Sequence, residues 1–438
     1  MLEVVPVSKR RAYRAVAVKN VSLENVLQSG PEGAVTVGMD VGKDEIFVVL
    51  RWVDATFERP WKVRNPLEVK LLVRILTELN RRRCLTVGME STGTYGDSLR
   101  QALTDAKLSV HRVSGKATHD YAEIFDGVPS QHDGKDAAMI AELVAFGKSS
   151  PWPFEHKEAN DAEMAYWVDW LDGQQQIEML WLGRLESLLA RHWPEATTLL
   201  KLSSATLLQT LARYGGPGGL AEDDGAARRL AGWGGPKLTA KKIEKVIRSA
   251  TETVGVRQNA QDVRRIQEYA TLALEAYRQT QKAKRALERL AKGNEVIQRQ
   301  AEAVGVATAC VLWVALGDPK NYPFAAAYRK AMGFNLKVRS SGKHKGKLKI
   351  TKRGPSVVRR WLYFAAMRMV QRPEVKPWHE AKKARTSDKA TPSLVAVARK
   401  LALAMHVVGA RGERFDPGRL FPGCPLPRGS SSARGEAA

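Results

Sequence analysis

Residues 34–50 read AVTVGMDVGKDEIFVVL, and their pattern indicates the architecture of the first part of the chain. Two β-rich runs, 34–40 and 45–50, are joined by a short turn that contains Gly42, which is the pattern of a β-hairpin. Asp40 stands at the end of the first run. A carboxylate therefore lies where a strand ends, at the edge of the predicted sheet.

The segments that follow alternate between helix and strand patterns. They are a helix over 66–83, a strand over 84–90, a helix over 95–107, a strand over 108–113 and a helix over 133–146. This alternation predicts an α/β domain with a mixed sheet over residues 34–153, which ends at the breaker Pro151-Trp152-Pro153. Residues 1–33, basic at their start, predict an N-terminal arm outside the core.

The remainder of the chain is predicted to be helical. Charged helical patterns over 162–192 and 262–299 predict a long helical, coiled-coil connector spanning 154–300. A Gly-rich insertion at 215–236 separates the two patterns and predicts no particular fold. A compact helical domain follows over 301–412, and a tail rich in Pro, Gly, Ser and Arg over 413–438 is predicted to be disordered.

Net charge, the length of apolar runs and the spacing of the cysteines limit the class of protein to which this chain can belong. The chain has 70 Lys and Arg against 46 Asp and Glu, and a net charge of +24 on a folded protein attracts polyanions such as nucleic acid. No run approaches the roughly 18 apolar residues of a membrane span, and the three cysteines, Cys84, Cys310 and Cys424, lack the spacing of a zinc site or a disulfide framework. We therefore expect a cytoplasmic, nucleoid-associated protein with no membrane partner.

Four acids are candidates for a metal site. Asp40 and Glu90 end two predicted strands, and Asp133 and Asp136 lie three residues apart on one face of a predicted helix. Hard divalent cations such as Mg²⁺ take oxygen ligands, and clustered carboxylates would repel one another without a cation. Taken singly, each acid is also typical of a solvated surface group, and Asp133 is placed to cap its own helix.

Three motifs carry a resemblance to a known family. TVGMDVGKD (36–44), VGMESTGTY (87–95) and DGKDAAMIA (133–141) resemble the acidic motifs of the DEDD transposases of the insertion sequence 110 family. The resemblance implies a ribonuclease H-like N-terminal domain similar to RuvC-type Holliday-junction resolvases, with Asp40, Glu90, Asp133 and Asp136 as catalytic, Mg²⁺-binding acids. It also implies a helical C-terminal transposase domain.

A second constellation is the basic stretch 337–360, which holds ten Lys or Arg and no acid. By composition alone it is a phosphate-binding loop. It also resembles the Ser-Gly and basic element of the same family, which implies that a serine, Ser341 or the adjacent Ser340, is the nucleophile toward DNA. The candidate nucleic-acid contacts are Arg339, Lys343, Lys345, Lys347, Lys349, Lys352, Arg353, Arg359 and Arg360, and binding through them should weaken as salt concentration rises.

The leading hypothesis is a transposase that acts as a site-specific DNA recombinase on donor and target DNA. The resemblance further implies a structured non-coding RNA, called a bridge RNA, as guide, and a homo-oligomer, either dimer or tetramer. One alternative is a junction-resolving nuclease that uses the acids and water without a covalent intermediate. A second is a sugar kinase or actin-like ATPase, because the run Met39–Lys43 also resembles the Asp-x-Gly phosphate turn of that fold, although no second such turn and no adenosine-binding Gly-Gly strand pair lies in a suitable place.

Overall fold

The computed structural model describes residues 14–91, 93–126, 132–156, 158–337, 340–341, 344–345, 348–385 and 389–422. Its contacts divide the chain into two compact units, 1–156 and 157–438. The boundary lies close to the predicted breaker at residues 151–153. The first unit is α/β and the second is helical, in agreement with the predicted order of the two classes.

The first unit is built on one seven-stranded mixed sheet with the strand order β1-β4-β3-β2-β5-β6-β7. In this sheet β2 runs antiparallel to β3 and parallel to β5, and β5 runs parallel to β6. The strands are β1 (Val16–Ala17), β2 (Val35–Val41), β3 (Glu45–Arg51), β4 (Trp61–Arg64), β5 (Leu85–Glu90), β6 (Ser109–Val113) and β7 (Ser149–Pro151). The helices are α1 (Leu23–Ser29), α2 (Val69–Arg82), α3 (Asp97–Asp105), α4 (Gly115–Asp126) and α5 (Asp133–Ala145).

The predicted N-terminal arm is wrong for residues 14–33. β1 pairs with β4, and Val18 and Val26 are buried in the same hydrophobic core as the sheet. The apolar residues of this short segment complete the core beside the edge strand, and the basic composition of the first residues gave no sign of it. Residues 1–13 lie outside the described part of the chain.

The second unit contains two long antiparallel helices, α6 (Ala159–His192) and α12 (Ala260–Ala291). At one end Met164 packs in the same core as Leu287, and at the other Leu189 packs in the same core as Ile266. The insertion between them is helical: α7 (Ala196–Leu199), α8 (Ala205–Tyr214), α9 (Pro217–Ala221), α10 (Ala226–Gly234) and α11 (Ala240–Thr251). The single helix predicted over 262–299 is wrong, because the chain breaks after Ala291 around Gly293 and restarts as α13 (Glu295–Val304).

The rest of the second unit is a bundle whose core also takes in the ends of α6 and α12. Its elements are α14 (Val306–Leu316), α15 (Ala325–Ala331), β8 (Leu336–Lys337), β9 (Ser340–Ser341), β10 (His344–Lys345), β11 (Lys349–Ile350), α16 (Ser356–Met369), α17 (Lys376–Ala384), α18 (Ala390–Arg411) and α19 (Pro417–Leu420). One end of the connector thus shares a core with the C-terminal domain, so the two domains predicted at 154–300 and 301–412 are not separate at residue 300.

Both helix α18 and the residues that follow it pack into the bundle. The predicted disordered tail is wrong for residues 413–422, because Phe421 is fully buried and packs edge-to-face with Trp378. Helix α18 has the length and hydropathy of a membrane span, yet 56% of its most apolar 18-residue window is buried inside the protein. Packing in the bundle therefore accounts for the apolar character of α18.

Candidate metal centre

Asp40 and Glu90 lie side by side on neighbouring parallel strands. The register pairs Gly38 with Gly88 and Met39 with Met89, so the two acids occupy the next matched position on β2 and β5. Side chains at matched positions of adjacent strands project from the same face of a sheet. Both carboxylates therefore stand on one face, where these strands end.

Helix α5 lies against that same face because two glycines let it approach. A Cβ on Gly38 would lie 1.9 Å from the carbonyl oxygen of Ala137, and a Cβ on Gly88 would lie 2.4 Å from a methyl carbon of Val144. Only a residue without a side chain leaves room for a helix at this distance. The glycines stand two positions before Asp40 and Glu90, on the same face of their strands, so the helix that covers them begins beside the acids.

The helical period then brings two more acids to the site. Asp133 and Asp136 precede Ala137 on the face of α5 that meets the sheet, since residues three and four apart share a face. Ligand oxygens of Asp40, Asp133 and Asp136 all lie within 4.8 Å of one another. The predicted convergence of these three acids is therefore present in the structure.

Glu90 lies beside this group of three. Burial raises the pKa of Glu90 most, the hydrogen bond with Thr118 opposes this effect, and the charge of Asp136 adds to the rise. At Gly115, the first residue of α4, a Cβ would lie 2.0 Å from Oε1 of Glu90, and the Thr118 hydroxyl one turn on hydrogen-bonds the Glu90 side chain. The first turn of α4 thus fixes the position of the fourth carboxylate.

The electrostatics of the site show an excess of negative charge. Burial, followed by the charges of Asp136, Asp133 and Glu90, raises the pKa of Asp40 from 3.8 to about 6. Burial and the charge of Asp133 also raise the pKa of Asp136, against the opposing effect of His132 and Lys135. Neighbouring carboxylates disfavour the ionised form of one another, and a cation bound between them would reverse that effect.

The donor set fits a divalent metal ion. All the converging ligand atoms are carboxylate oxygens, which are the ligands that hard divalent cations take, and the raised pKa values mark a site whose charge the protein does not balance by itself. Asp40, Asp133 and Asp136 would hold the ion, with Glu90 adjoining. The chemistry that such a site supports is the transfer of a phosphoryl group.

Comparison of the sequence with models of known protein families shows the family to which the chain belongs. Residues 37–168 match the family model of the DEDD transposases of IS110 type, and residues 295–383 match that of the transposase IS116/IS110/IS902 family. Together the two models cover about half of the chain. The protein belongs to the IS110 family of DEDD transposases. No curated protein shows significant similarity to it.

Sequence reasoning missed the residues that position the acids of this transposase. Gly38, Gly88, Gly115 and Thr118 carry no metal-binding group in their side chains, so a search for ligands passes over them. A signal was nevertheless present, because Val-Gly-Met followed by an acid occurs twice, at 37–40 and 87–90. A glycine inside a strand pattern indicates the close approach of another backbone.

The basic stretch of the transposase forms short paired strands. β8 pairs with β11, and β9 pairs with β10 so that Ser341 lies opposite His344 and Ser340 opposite Lys345. The two candidate serines therefore sit on one arm of a tight β-hairpin. Arg339, Lys343 and Lys347, together with the side chains of Ser340, Ser341 and Lys345, lie outside the described part of the structure.

The remaining basic candidates fall into two groups. Lys349, Lys352 and Arg353 are exposed. Arg359 instead donates hydrogen bonds to the carbonyl oxygens of Gly354 and Pro355, at 2.6 and 3.3 Å, and Arg360 forms an ion pair with Asp172. The guanidinium groups of Arg359 and Arg360 thus contact the protein itself, and a nucleic-acid contact by any of the five residues stays a prediction.

Proposed function

We propose that this transposase is a DNA recombinase that cleaves and rejoins strands through a serine nucleophile assisted by a Mg²⁺-binding acidic site. The observation that carries the proposal is the cluster of Asp40, Asp133 and Asp136, with ligand oxygens within 4.8 Å of one another and Glu90 alongside. Four acids assembled from two strands and a helix suit chemistry on a phosphodiester. Water alone would suffice for hydrolysis at such a site, so the serine is the part that most needs a test.

The N-terminal unit is proposed to be ribonuclease H-like, of the RuvC type. Its support is a mixed sheet in which an antiparallel hairpin, β2-β3, is followed by β5 and β6, which run in the direction of β2, with Asp40 and Glu90 at the ends of β2 and β5. Helix α5 then supplies two further acids to the same face. This arrangement is what the sequence resemblance implied for the domain.

The proposed reaction conserves phosphoester bonds. The Oγ atom of Ser341, or of Ser340, attacks the phosphorus of a DNA strand, forming a serine–phosphate ester while one bond between phosphorus and deoxyribose oxygen breaks. The serine proton passes to a carboxylate of the acidic site, which delivers a proton to the departing deoxyribose oxygen so that it leaves as a hydroxyl group. Attack by a strand-end hydroxyl on the same phosphorus reverses these steps, joins the strands and releases the serine, so no nucleotide hydrolysis is required.

A serine hydroxyl is a weak nucleophile unless a base or a cation activates it. The basic stretch that carries both serines contains no acid over 337–360, so we propose that the acidic site and the serine form a composite active site, within one chain or between protomers. Mg²⁺, when bound by Asp40, Asp133 and Asp136, would supply charge stabilisation to the phosphate. Lys349, Lys352 and Arg353 would hold the DNA backbone.

The same proposal implies which molecules this transposase binds. Donor and target DNA are the substrates, a structured bridge RNA selects them, and a dimer or tetramer brings two sites together. The net charge of +24 suits both nucleic acids and does not separate them. Sequencing the RNA that copurifies with the transposase tests the guide directly. A single discrete species supports it, and a random mixture of cellular RNA contradicts it.

The serine is tested by trapping the reaction on a DNA substrate and mapping the attached peptide. The wild-type protein should yield a covalent adduct at Ser341 or Ser340, and the double variant S340A/S341A should yield none. S356A is the matched control, because Ser356 is an exposed serine at the start of α16, just after the same basic segment, and it should leave the adduct unchanged. Unchanged strand exchange by S340A/S341A would refute the covalent mechanism, and cleavage without an adduct would favour the nuclease.

A further inference from the structure

The helical insertion at 196–251 forms a module of its own at one end of the α6–α12 pair. Helices α7 to α11 surround a hydrophobic core with members such as Leu207, Leu211 and Leu230, and this core also takes in Leu189 of α6 and Ile266 of α12. The module lies outside both segments that match the transposase families, 37–168 and 295–383. None of the candidate catalytic or nucleic-acid-binding residues lies in it.

Internal contacts hold the module in a fixed shape. Arg229 of α10 donates two hydrogen bonds of 2.9 Å to the carboxylate of Asp223, which also accepts from the hydroxyl of Tyr214 at the end of α8. At the turn between α10 and α11, a Cβ on Gly234 would lie 2.3 Å from the Leu238 side chain, and Gly235 has a φ of +56°. The ion pair anchors α10 to the end of α8, and the tight turn fixes the direction in which α11 leaves α10.

Charge is segregated within the module. Residues 196–225 contain two Lys or Arg and three Asp or Glu, whereas residues 226–251 contain seven Lys or Arg and one Glu. A solvated protein surface ordinarily mixes both signs. The second half of the module is therefore basic in a way that solubility does not require.

The basic residues of α11 share one face. At 100° per residue, Lys241, Lys245 and Arg248 point away from the buried face formed by Ile243, Val246 and Ala250. Lys242 lies at the border of the same exposed face. The cations thus form a stripe about 10 Å long on the side of the helix that faces solvent.

Most of this stripe has no acidic partner. Arg248 pairs with Glu244 at 2.6 Å. Within the ranges that the structure describes, no acidic group lies within ion-pair distance of Lys241, Lys242 or Lys245, nor of Lys237 in the preceding turn, and all four side chains are exposed. An unbalanced row of lysines on a rigid helix is a surface that attracts a polyanion.

We propose that the exposed face of α11 binds the phosphate backbone of duplex DNA. About 10 Å of duplex carries about six phosphate charges, which is enough to engage every cation of the stripe. Duplex DNA is the favoured occupant because DNA is what the transposase families act on. The contact is to backbone charge, so it adds affinity and orientation without selecting a base sequence.

The test compares two triple variants of the full-length chain. K241Q/K242Q/K245Q removes three unpaired charges from α11. The matched control, R264Q/R278Q/R299Q, removes the same net charge from α12 and α13, where Arg264, Arg278 and Arg299 each pair with a Glu on their own helix. Binding to a 30-base-pair mixed-sequence duplex is measured by fluorescence anisotropy between about 50 and 200 mM salt, in the presence of a chelator. Because no cleavage takes place, the result does not depend on the serine or on the acidic site.

The α11 variant should bind the duplex at least about tenfold more weakly and lower the slope of log K against log[salt] by about 2 to 3, since each phosphate contact contributes about 0.9. The control should stay within about twofold of wild type, and both variants should remain folded at the assay temperature, as thermal unfolding checks, because none of the substituted side chains is buried. An unchanged slope for the α11 variant, or an equal loss by the control, overturns the proposal. A hairpin RNA is measured in parallel, and a loss confined to RNA overturns the assignment to DNA.

Discussion

The carbonyl oxygen of Ala137 lies where a side chain on Gly38 would have to be, 1.9 Å from the position of its Cβ. Helix α5 therefore rests on the backbone of β2 without an intervening layer of side chains. Since Asp136 immediately precedes Ala137, this contact fixes the distance between Asp136 and Asp40. The integrity of the acidic cluster depends on a residue that takes no part in the chemistry.

The first prediction is that G38A separates α5 from the sheet. The added methyl group meets backbone, which cannot rotate away, so we expect a loss of unfolding free energy of about 1 to 3 kcal/mol together with weaker divalent-cation binding. Chemical denaturation and calorimetric titration with Mg²⁺ measure the two effects. The control is G173A in α6, where an added Cβ meets nothing within 4 Å and stability should be unchanged or slightly higher. Wild-type cation affinity in G38A would contradict the role given to this contact.

The second prediction concerns G115A, which should act on the site without unfolding the domain. Here the added Cβ would lie 2.0 Å from Oε1 of Glu90, the movable end of a side chain. We therefore expect a loss of stability under about 1 kcal/mol, because the carboxylate turns away, and a clear fall in DNA strand cleavage. A normal cleavage rate in a folded G115A protein would show that the position of Glu90 is not required.

The third prediction is that D40A and D136A abolish strand cleavage while the protein stays folded. Each removes one of the three converging carboxylates, and a chelator added to wild type should have the same effect. D105A, which removes an exposed acid at the end of α3, serves as the matched control. Cleavage is measured on labelled duplex DNA and folding by thermal unfolding. Wild-type cleavage by either variant would exclude that residue from the site.

The fourth prediction is a pH dependence that originates at Asp40. Its pKa in the folded protein is raised to about 6, mainly by burial, so the folded state binds a proton more tightly than the unfolded chain. The stabilising effect of this proton is complete below the unfolded pKa near 4 and is lost as pH rises through about 6. In the presence of a chelator at pH 7.5, the free energy of unfolding of D40N should therefore exceed that of wild type by about 1 to 2 kcal/mol, allowing for solvent screening. At pH 4 the two proteins should differ little.

The ionisation of Asp40 should also control metal binding, which should become stronger as pH rises. A cation needs the ionised carboxylate, so the affinity of wild type for Mg²⁺ should fall as pH drops below about 6. Calorimetric titrations at pH 5 and pH 7.5 measure the change. Equal affinities at the two pH values, or a D40N variant no more stable than wild type at pH 7.5, would show that Asp40 does not carry the raised pKa.

The convergence of Asp40, Asp133 and Asp136 was within reach of the sequence, because it depends on local periods. Strands with a period of two and a helix with a period of 3.6 place acids on defined faces, and acids that end neighbouring strands meet at one edge. The order of the α/β and helical regions follows from the same periods. These periods do not give the distance between a helix and the sheet on which it packs. The closeness of α5 to β2 depends on Gly38 and Gly88, whose meaning appears only once their neighbours are known.

The errors have a common physical cause. Val18 and Val26 are apolar residues that come after a basic start of the chain, and Phe421 is an aromatic residue in a segment rich in loop-forming residues; all three are buried in a neighbouring core. Composition averages over a segment, whereas burial is decided residue by residue. The break between α12 and α13 is similar, since one glycine in a long helical pattern is usually tolerated and here marks a real end.

Helices α6 and α12 lie next to each other along their whole length, so the chain leaves the bundle and returns to it at neighbouring points. Met164 and Leu287 pack in the core at the opposite end of this pair, whereas the segment between residues 193 and 259 shares its core with Leu189 and Ile266, which any replacement segment would also have to cover. The entropy of closing a longer or shorter connection varies only with the logarithm of its length. The far end of this helical pair is therefore a place where the polypeptide can gain, lose or exchange a whole module during evolution, or in an engineered variant, while the rest of the transposase keeps its architecture.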